Sequence, residues 1–218
     1  MSLRLALDHV VLVVKDLQAA GQVFEAAGFH VTPEARHSPA MGTANRCIML
    51  DGNYIELMGI VAETSANVTW RSLLALGAGI RGLALRSSDI EVSAGDLAAK
   101  GIAAEPARRF SRMTPDGELR FSVIRIDSSV TPGLQCLLCQ HHTPELLWRP
   151  EAMRHPNGAS SLVCVALPEM SGLDRLAAHD AFGVAIAPGS GRLVFLGETA
   201  VRHDLREVCG VEIEVLRR

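Results

Sequence analysis

One pattern of predicted secondary structure recurs three times along this chain of 218 residues. An apolar strand that includes His9 is followed by an acidic residue, an amphipathic helix and a Gly-Phe pair. The pattern returns without a gap after 73 positions, where Asp16 corresponds to Asp89. A weaker copy follows after 153 positions, where Phe29 corresponds to Phe182. Internal repeats of this length indicate that one supersecondary unit is used several times.

Each copy predicts a βαβββ unit, and we place the three units at residues 1–61, 79–140 and 158–218. In the first unit Asp16 is the expected helix N-cap, a short strand is expected at residues 29–32, and Asp51-Gly52 is a hairpin turn. A helix covers one face of such a sheet and leaves the other face open. We therefore predict an α+β fold in which the first two units pair into an open curved sheet with a cleft. The third unit is a related C-terminal extension.

The composition excludes several classes of partner. The net charge is −3 and the basic residues are spread along the chain, which disfavours nucleic acid and anionic membranes. No stretch reaches the roughly 18 apolar residues of a membrane span. The five cysteines are an odd number and four stand in apolar runs, which favours reduced thiols and a cytoplasmic protein. Aromatic residues make up only 4%, which favours a small or aliphatic ligand over a large aromatic one.

The three copies differ at the position of His9. The second copy has Gly82 there and the third has Leu162. A strand that keeps its pattern but carries histidine once has either a special site or an isolated buried histidine with one hydrogen bond. Glu56 also stands in an apolar strand, on the face opposite Ile55, where it faces either solvent or a cleft.

These segments together resemble the vicinal oxygen chelate superfamily, which includes glyoxalase I, extradiol dioxygenases and bleomycin-binding proteins. The resemblance rests on the opening strand and helix of the first unit and on its closing strand. A loop with Arg-His and Gly-Thr-x-Asn, and a later His-Pro-Asn-Gly turn, are similar to the glyoxalase-like subgroup. The matching segments are residues 7–17, 28–29, 36–37, 42–45, 53–57 and 155–158.

The resemblance implies a metal site in the cleft. In the superfamily a histidine lies on the first strand of a unit and a glutamate lies on its last strand. His9 and Glu56 match those positions. Imidazole and carboxylate bind Zn²⁺, Ni²⁺, Mn²⁺ or Fe²⁺, which would chelate adjacent substrate oxygens. Gly82 cannot supply the ligand expected from the second unit. We expect His141 to replace it, because it continues the strand parity of Cys139; Gln140, His142 and His155 are the alternatives.

The resemblance also implies a small-molecule enzyme, either a lyase or isomerase or a dioxygenase, with Glu56 as the residue that moves a proton. The rival hypothesis is a metal-free binding protein of the bleomycin-resistance type, which Gly82 favours. A homodimer is expected in either case, since such units often pair between chains. Simpler explanations stand beside each proposed substrate contact: the loop histidine is solvated, and the threonine and asparagine shape the loop. The expected substrate-binding residues are Arg36, His37, Thr43, Asn45 and His155.

Overall fold

A computed structural model describes Leu3, residues 5–176 and residues 183–218 of the chain. The first unit begins with a fully buried strand and continues with an amphipathic helix and three further strands. Asp16 caps the helix as expected, since its carboxylate accepts a hydrogen bond from Ala19 N at 2.9 Å. The elements of this unit are β1 (Leu7–Val14), α1 (Leu17–Ala26), β2 (Ala35–Arg36), β3 (Thr43–Met49) and β4 (Tyr54–Ile60).

The strand predicted at residues 29–32 does not form, and the short strand lies instead at Ala35–Arg36. Thr32 still binds the neighbouring strand, because its backbone N donates to Cys47 O at 2.9 Å. The return bond from Cys47 N goes to the Thr32 hydroxyl, not to a backbone carbonyl, at 2.8 Å. Pro33 follows and has no N–H for a ladder, so pairing resumes only beyond it.

The connection and the second unit contain another helix and a second set of four strands. Asp89 caps the unit's helix by accepting from Glu91 N and Val92 N. The elements are α2 (Val68–Ala75), β5 (Gly79–Arg86), α3 (Ile90–Ala99), β6 (Arg108–Thr114), β7 (Gly117–Arg125) and β8 (Gln135–His141). The two units share one eight-stranded sheet in the order β2-β3-β4-β1-β5-β8-β7-β6. The predicted α+β fold with two paired units in a curved open sheet is confirmed.

The pairing of β1 with β5 obeys the sequence repeat. These strands run antiparallel at the centre of the sheet, with His9 opposite Ala84 and Val11 opposite Gly82. Gly82 and Ala84 stand 73 positions after His9 and Val11, respectively. The residues of one opposed pair are therefore the repeat equivalents of the residues of the other pair. The two units therefore face each other across a pseudo-twofold axis between these strands.

Both central strands are interrupted at the same point of the repeat. The register shifts at Asp8 on β1 and at Arg81 on β5, where each strand holds one residue more than its partner. A β-bulge of this kind re-aims side chains and is common beside functional sites. Arg81 uses its side chain to cap the C-terminal end of α2, donating to Gly77 O and Leu76 O. Asp8 instead turns its carboxylate towards His9.

The C-terminal unit forms a second sheet, in which the strands lie in the order β10 (Ala185–Pro188), β9 (Ser161–Leu167), β11 (Arg192–Gly197), β13 (Glu212–Arg217) and β12 (Val201–Asp204). Its opening strand pairs in parallel with the next strand along the chain, whereas β1 pairs in parallel with β4, the last strand of its unit. The third unit therefore resembles the first unit less closely than the second unit does. Phe182 lies outside the described residues. The unit also contains the short helices α4 (Leu173–Leu176) and α5 (Arg206–Cys209).

The second sheet and helices α1 and α3 pack against one face of the eight-stranded sheet. Alternate residues of β1, such as Val10 and Leu12, join this large core with Phe24 of α1 and Phe195 of β11. The intervening residues Val11 and Val13, in contrast, point to the opposite face, which is covered only in part. That opposite face holds the cleft. No helix in the described ranges is long and apolar enough to cross a membrane.

Candidate functional site

The open face of the eight-stranded sheet encloses a cavity of about 360 Å³. Residues from both units line it, and the side chains converge because alternate positions of each strand point to this face. Four of the nine aromatic residues of the chain line the cavity, namely Tyr54, Trp70, Phe110 and Phe121. The low aromatic content of the sequence therefore understates how aromatic the cavity is.

The first unit brings His9 and Glu56 together in this cavity. His9 Nε2 lies 3.5 Å from Glu56 Oε2, and both side chains are nearly buried. Glu56 faces the cavity while its neighbours Ile55 and Leu57 point into the main core, as the strand alternation predicts. The Tyr54 ring stacks on the His9 ring with centroids 4.4 Å apart. This packing fixes the plane of the imidazole and leaves its Nε2 edge towards Glu56.

Asp8, which the sequence analysis did not assign to the site, orients His9. The Asp8 carboxylate is fully buried and accepts from His9 Nδ1 at 2.7 Å, His141 Nε2 at 2.9 Å and Arg86 Nε at 2.8 Å. Burial raises the pKa of Asp8, but hydrogen bonds from His141 and His9 outweigh it and hold that pKa well below its usual range. With its proton on Nδ1, His9 presents a lone pair at Nε2.

Asn45 fixes the other oxygen of Glu56. Its side-chain amide donates to Glu56 Oε1 at 2.7 Å, and its carbonyl accepts from Arg112 Nη1 at 3.4 Å. Arg112 belongs to the second unit, so this chain of contacts crosses the cavity from one unit to the other. Asn45 was predicted from the sequence as a substrate contact, and in the structure it also positions the carboxylate.

His37 and Thr43 lie at the same end of the cavity. His37 Nδ1 is 2.6 Å from the Thr43 hydroxyl, and His37 Nε2 is 3.9 Å from Glu56 Oε1. Burial lowers the pKa of His37; the carboxylate of Glu56 opposes that shift and the charge of Arg112 adds to it. His9 and His37 thus approach different oxygens of one carboxylate, and both present Nε2 to it.

The equivalent positions in the second unit hold no ligand. Val11 lies opposite Glu56 on β4, and its repeat partner Ala84 lies opposite Leu137 on β8. The histidine position is Gly82, and a Cβ there would lie 2.9 Å from Trp70 Cη2. The indole of α2 therefore fills the space that a second histidine would need. The first half of the pseudo-symmetric sheet therefore carries polar donors at these positions. In the second half, the space at the same two positions is occupied by the apolar side chains of Trp70 and Leu137.

His141 stands apart from the pair of His9 Nε2 and Glu56. It lies four residues beyond Leu137, at the end of β8, and its Nε2 is bound to Asp8 at 2.9 Å. Asp8, Cys139 and His141 have donor atoms within 4.8 Å of one another, and among the described residues they are the group of three with the chemistry of a metal site. Burial raises the pKa of the Cys139 thiol well above its ordinary value, and the carboxylates of Asp8 and Glu56 add to that shift.

Arg36 and His155 are absent from the described residues that line the cavity. Arg36 lies on the edge strand β2 with 75% of its side chain exposed, and it pairs with Glu34. His155 is buried between the sheets, where its Nε2 donates to Met49 O at 2.8 Å and its Nδ1 accepts from His30 N at 2.9 Å. Both ring nitrogens of His155 are engaged by backbone groups, so neither is free for a substrate in this structure.

Residues 7–178 match the family model described as a glyoxalase-like domain. The chain belongs to this family. The family lies within the vicinal oxygen chelate superfamily, which confirms the relationship expected from the sequence. No curated protein matches the chain.

Two solved structures show how far the fold extends. A hypothetical protein from Staphylococcus aureus superposes with a TM-score of 0.72 at 12% identity, over 98% of this chain and 100% of that one. Methylmalonyl-CoA epimerase from Mycobacterium tuberculosis superposes with a TM-score of 0.50 at 21% identity, over 64% of this chain and 91% of that one. At these identities the likeness establishes the fold alone. The superposition with the epimerase leaves about a third of this chain uncovered.

Proposed function

We propose that this glyoxalase-like protein is a metal-dependent enzyme that acts on a small molecule with a carbonyl or two adjacent oxygens. The observation that carries the proposal is the 3.5 Å separation of His9 Nε2 and Glu56 Oε2. Metal–ligand bonds of about 2.0–2.2 Å, at angles between about 90° and 110°, put neighbouring donor atoms roughly 3.0–3.5 Å apart. The pair therefore fits a shared Zn²⁺, Ni²⁺, Mn²⁺ or Fe²⁺ ion.

The environment of His9 also supports this assignment. Metal-binding histidines almost always donate their second ring N–H to a carboxylate or carbonyl, which fixes the tautomer. Asp8 accepts that bond from His9 Nδ1. We propose His37 as the third ligand, because it lines the cavity and presents Nε2 towards Glu56 at 3.9 Å. The donor atoms of His9, His37 and Glu56 do not all lie within 4.8 Å of one another, so a shared ion would draw these side chains closer together. In this assignment His141, the ligand expected from the sequence, acts through Asp8.

A bound divalent metal would supply Lewis-acid polarisation of a substrate carbonyl or of adjacent oxygens. The residues of the chain provide the rest. Glu56 accepts a proton from the carbon beside that carbonyl, in the manner of an isomerase or lyase. Asn45 holds Glu56 Oε1 through its amide N–H, so that the carboxylate keeps one orientation. The aromatic walls of the cavity exclude water from the reacting atoms.

The test is the metal content of the purified, untagged protein, prepared without chelator. We expect near-stoichiometric metal in the parent chain, and at least tenfold weaker binding in His9→Ala, Glu56→Gln and His37→Ala, since a removed ligand costs more than the roughly 10- to 100-fold of a supporting residue. His203→Ala, on β12 of the other sheet, is the matched control and should keep its metal.

The comparison of His37→Ala with His141→Ala decides the third ligand. Loss of metal in His141→Ala and retention in His37→Ala would reverse our assignment and restore the one expected from the sequence. If the parent chain holds no metal, even after each of the four ions is added back, the metal-enzyme proposal fails.

A metal-free binding protein is the second candidate, and the second unit favours it. Gly82, Leu137 and Trp70 leave half of the family's ligand positions without a donor. This candidate predicts that small apolar ligands raise the melting temperature of chelator-treated protein as strongly as that of metal-loaded protein. A ligand effect that requires metal would rule against it.

A further inference from the structure

The strand β6 extends an arginine into the cavity from the second unit. Arg112 Nη1 contacts the carbonyl of Asn45 at 3.4 Å, and the amide of the same Asn45 donates to Glu56. The guanidinium therefore stands one amide group away from Glu56. This contact links the polar residues of the first unit to the cavity wall formed by the second.

Arg112 differs from the other arginines that line the cavity. Arg108 pairs with Glu105 at 2.8 Å, Arg109 with Glu91 at 3.0 Å, and Arg125 donates to Ala66 O at 3.0 Å. Arg112 has no acidic partner among the described residues, and its Nε is buried without any hydrogen-bond partner there. A buried charged donor without a partner is unfavourable unless a ligand supplies the acceptor.

We infer that Arg112 anchors the carboxylate of the ligand, so that the cleft takes a small carboxylic acid with an apolar body. The side-on edge of a guanidinium, to which Nε belongs, binds a carboxylate through two parallel hydrogen bonds. Nε of Arg112 is covered in this structure, so the two-point contact requires a small movement of the side chain. The aromatic walls, with Trp70 and Phe121, match the apolar body. The volume of about 360 Å³ limits the ligand to a small molecule.

This inference rests on the proposed function for the chemistry that follows binding, because an acid held at Arg112 directs its neighbouring carbon towards Glu56. The anchor itself needs no metal. In this inference Arg112 takes the place of Arg36, which was expected from the sequence to contact the substrate but is exposed at the sheet edge.

The experiment uses the isosteric probes 3-methylbutanoate and 3-methylbutanamide, which differ in charge and lack adjacent oxygens. Binding is measured by calorimetric or NMR titration on chelator-treated protein. We expect the parent chain to bind the carboxylate about 10- to 100-fold more tightly than the amide, the value of one or two charge-assisted hydrogen bonds. Arg112→Gln should abolish this preference for the carboxylate. Arg112→Lys keeps the positive charge but loses the planar pair of guanidinium N–H donors, and it should retain part of the preference. Arg36→Gln removes an exposed arginine and should leave the preference intact.

Equal binding of the two probes by the parent chain, or an unchanged preference in Arg112→Gln, would overturn the anchor. Metal content, measured on parallel samples of each variant prepared without chelator, separates the two proposals. Loss of the carboxylate preference with metal retained supports Arg112 as an anion anchor independent of the metal ligands. A preserved preference in a parent chain that binds no metal would defeat the proposed metal chemistry and leave the anchor standing.

Discussion

Asp8→Asn tests the hydrogen-bond network beneath the site. The carboxylate of Asp8 accepts from three donors, on His9, His141 and Arg86, and it is fully buried. Asparagine offers one acceptor oxygen and replaces the other with an N–H₂ group. In either orientation of the amide, at least one of the three donors meets another donor and loses its hydrogen bond.

The expected cost follows from this burial. Removing one partner from a buried, hydrogen-bonded charge group costs about 3–5 kcal/mol, because the remaining groups stay buried without compensation. For a chain of this size about 1 kcal/mol corresponds to roughly 2–4 °C, so we expect the melting temperature to fall by about 6–20 °C. Under the proposed assignment, in which Asp8 orients His9 and is not itself a ligand, metal affinity should fall by about 10- to 100-fold.

Urea unfolding, followed by the fluorescence of the two tryptophans, measures the stability change, and metal titration measures the second effect. Asp204→Asn is the control: it removes an exposed carboxylate from its ion pair with Arg206 and should leave the midpoint unchanged. An Asp8→Asn variant that unfolds within about 1 kcal/mol of the parent chain would refute the reasoning, because typical surface substitutions cost no more.

Two further predictions concern packing and pH. Gly82→Ala should destabilise the fold by about 1–3 kcal/mol, because its Cβ would meet Trp70 and the carbonyl of Gln135 at 2.9 Å. Gly95→Ala is the control and should not destabilise the fold, because there is open space around Gly95 on α3. Equal urea midpoints for the two variants would contradict this prediction. Burial lowers the pKa of His155 below its ordinary 6.5, so the unfolded chain takes up the proton first and stability should fall as pH drops below about 6.5. His155→Asn should flatten that dependence in unfolding curves at pH 5.5 and 7.5, and an equally steep dependence would count against it.

The sequence predicts the repeated units well because the signals that define them are local. Asp16 and Asp89 cap their helices through bonds to backbone N–H groups two or three residues away, which a sequence pattern can reveal. The alternation that places Glu56 on the open face is equally local, since it depends only on strand parity. Parity alone leaves Glu56 facing either solvent or a cleft, and it is the resemblance to the superfamily that implies one cleft for His9 and Glu56.

The remaining parts of the site depend on contacts that parity does not predict. The bulge at Asp8 breaks the alternation of β1 and brings that carboxylate beside His9, where regular pairing would have turned it to the other face. A carboxylate next to a histidine within an apolar strand was the available signal for it. Arg112 reaches Asn45 across 67 positions, and Trp70 meets Gly82 from a separate helix. Such contacts follow only from the way the chain folds the curved open sheet and places α2 against it.

The pseudo-symmetry explains why one unit carries the chemistry and the other does not. The bulges, the register and the strand order are shared, so the backbone offers the same geometry twice. At the bulge the first unit has Asp8, which orients an imidazole, and the second has Arg81, which caps α2 and so holds Trp70 over Gly82. The second half of the sheet thereby offers an apolar wall at these positions, and its Arg112 keeps a buried Nε without a hydrogen-bond partner among the described residues. A substrate held between the two halves would meet polar donors on one side and an apolar wall with a single anion anchor on the other.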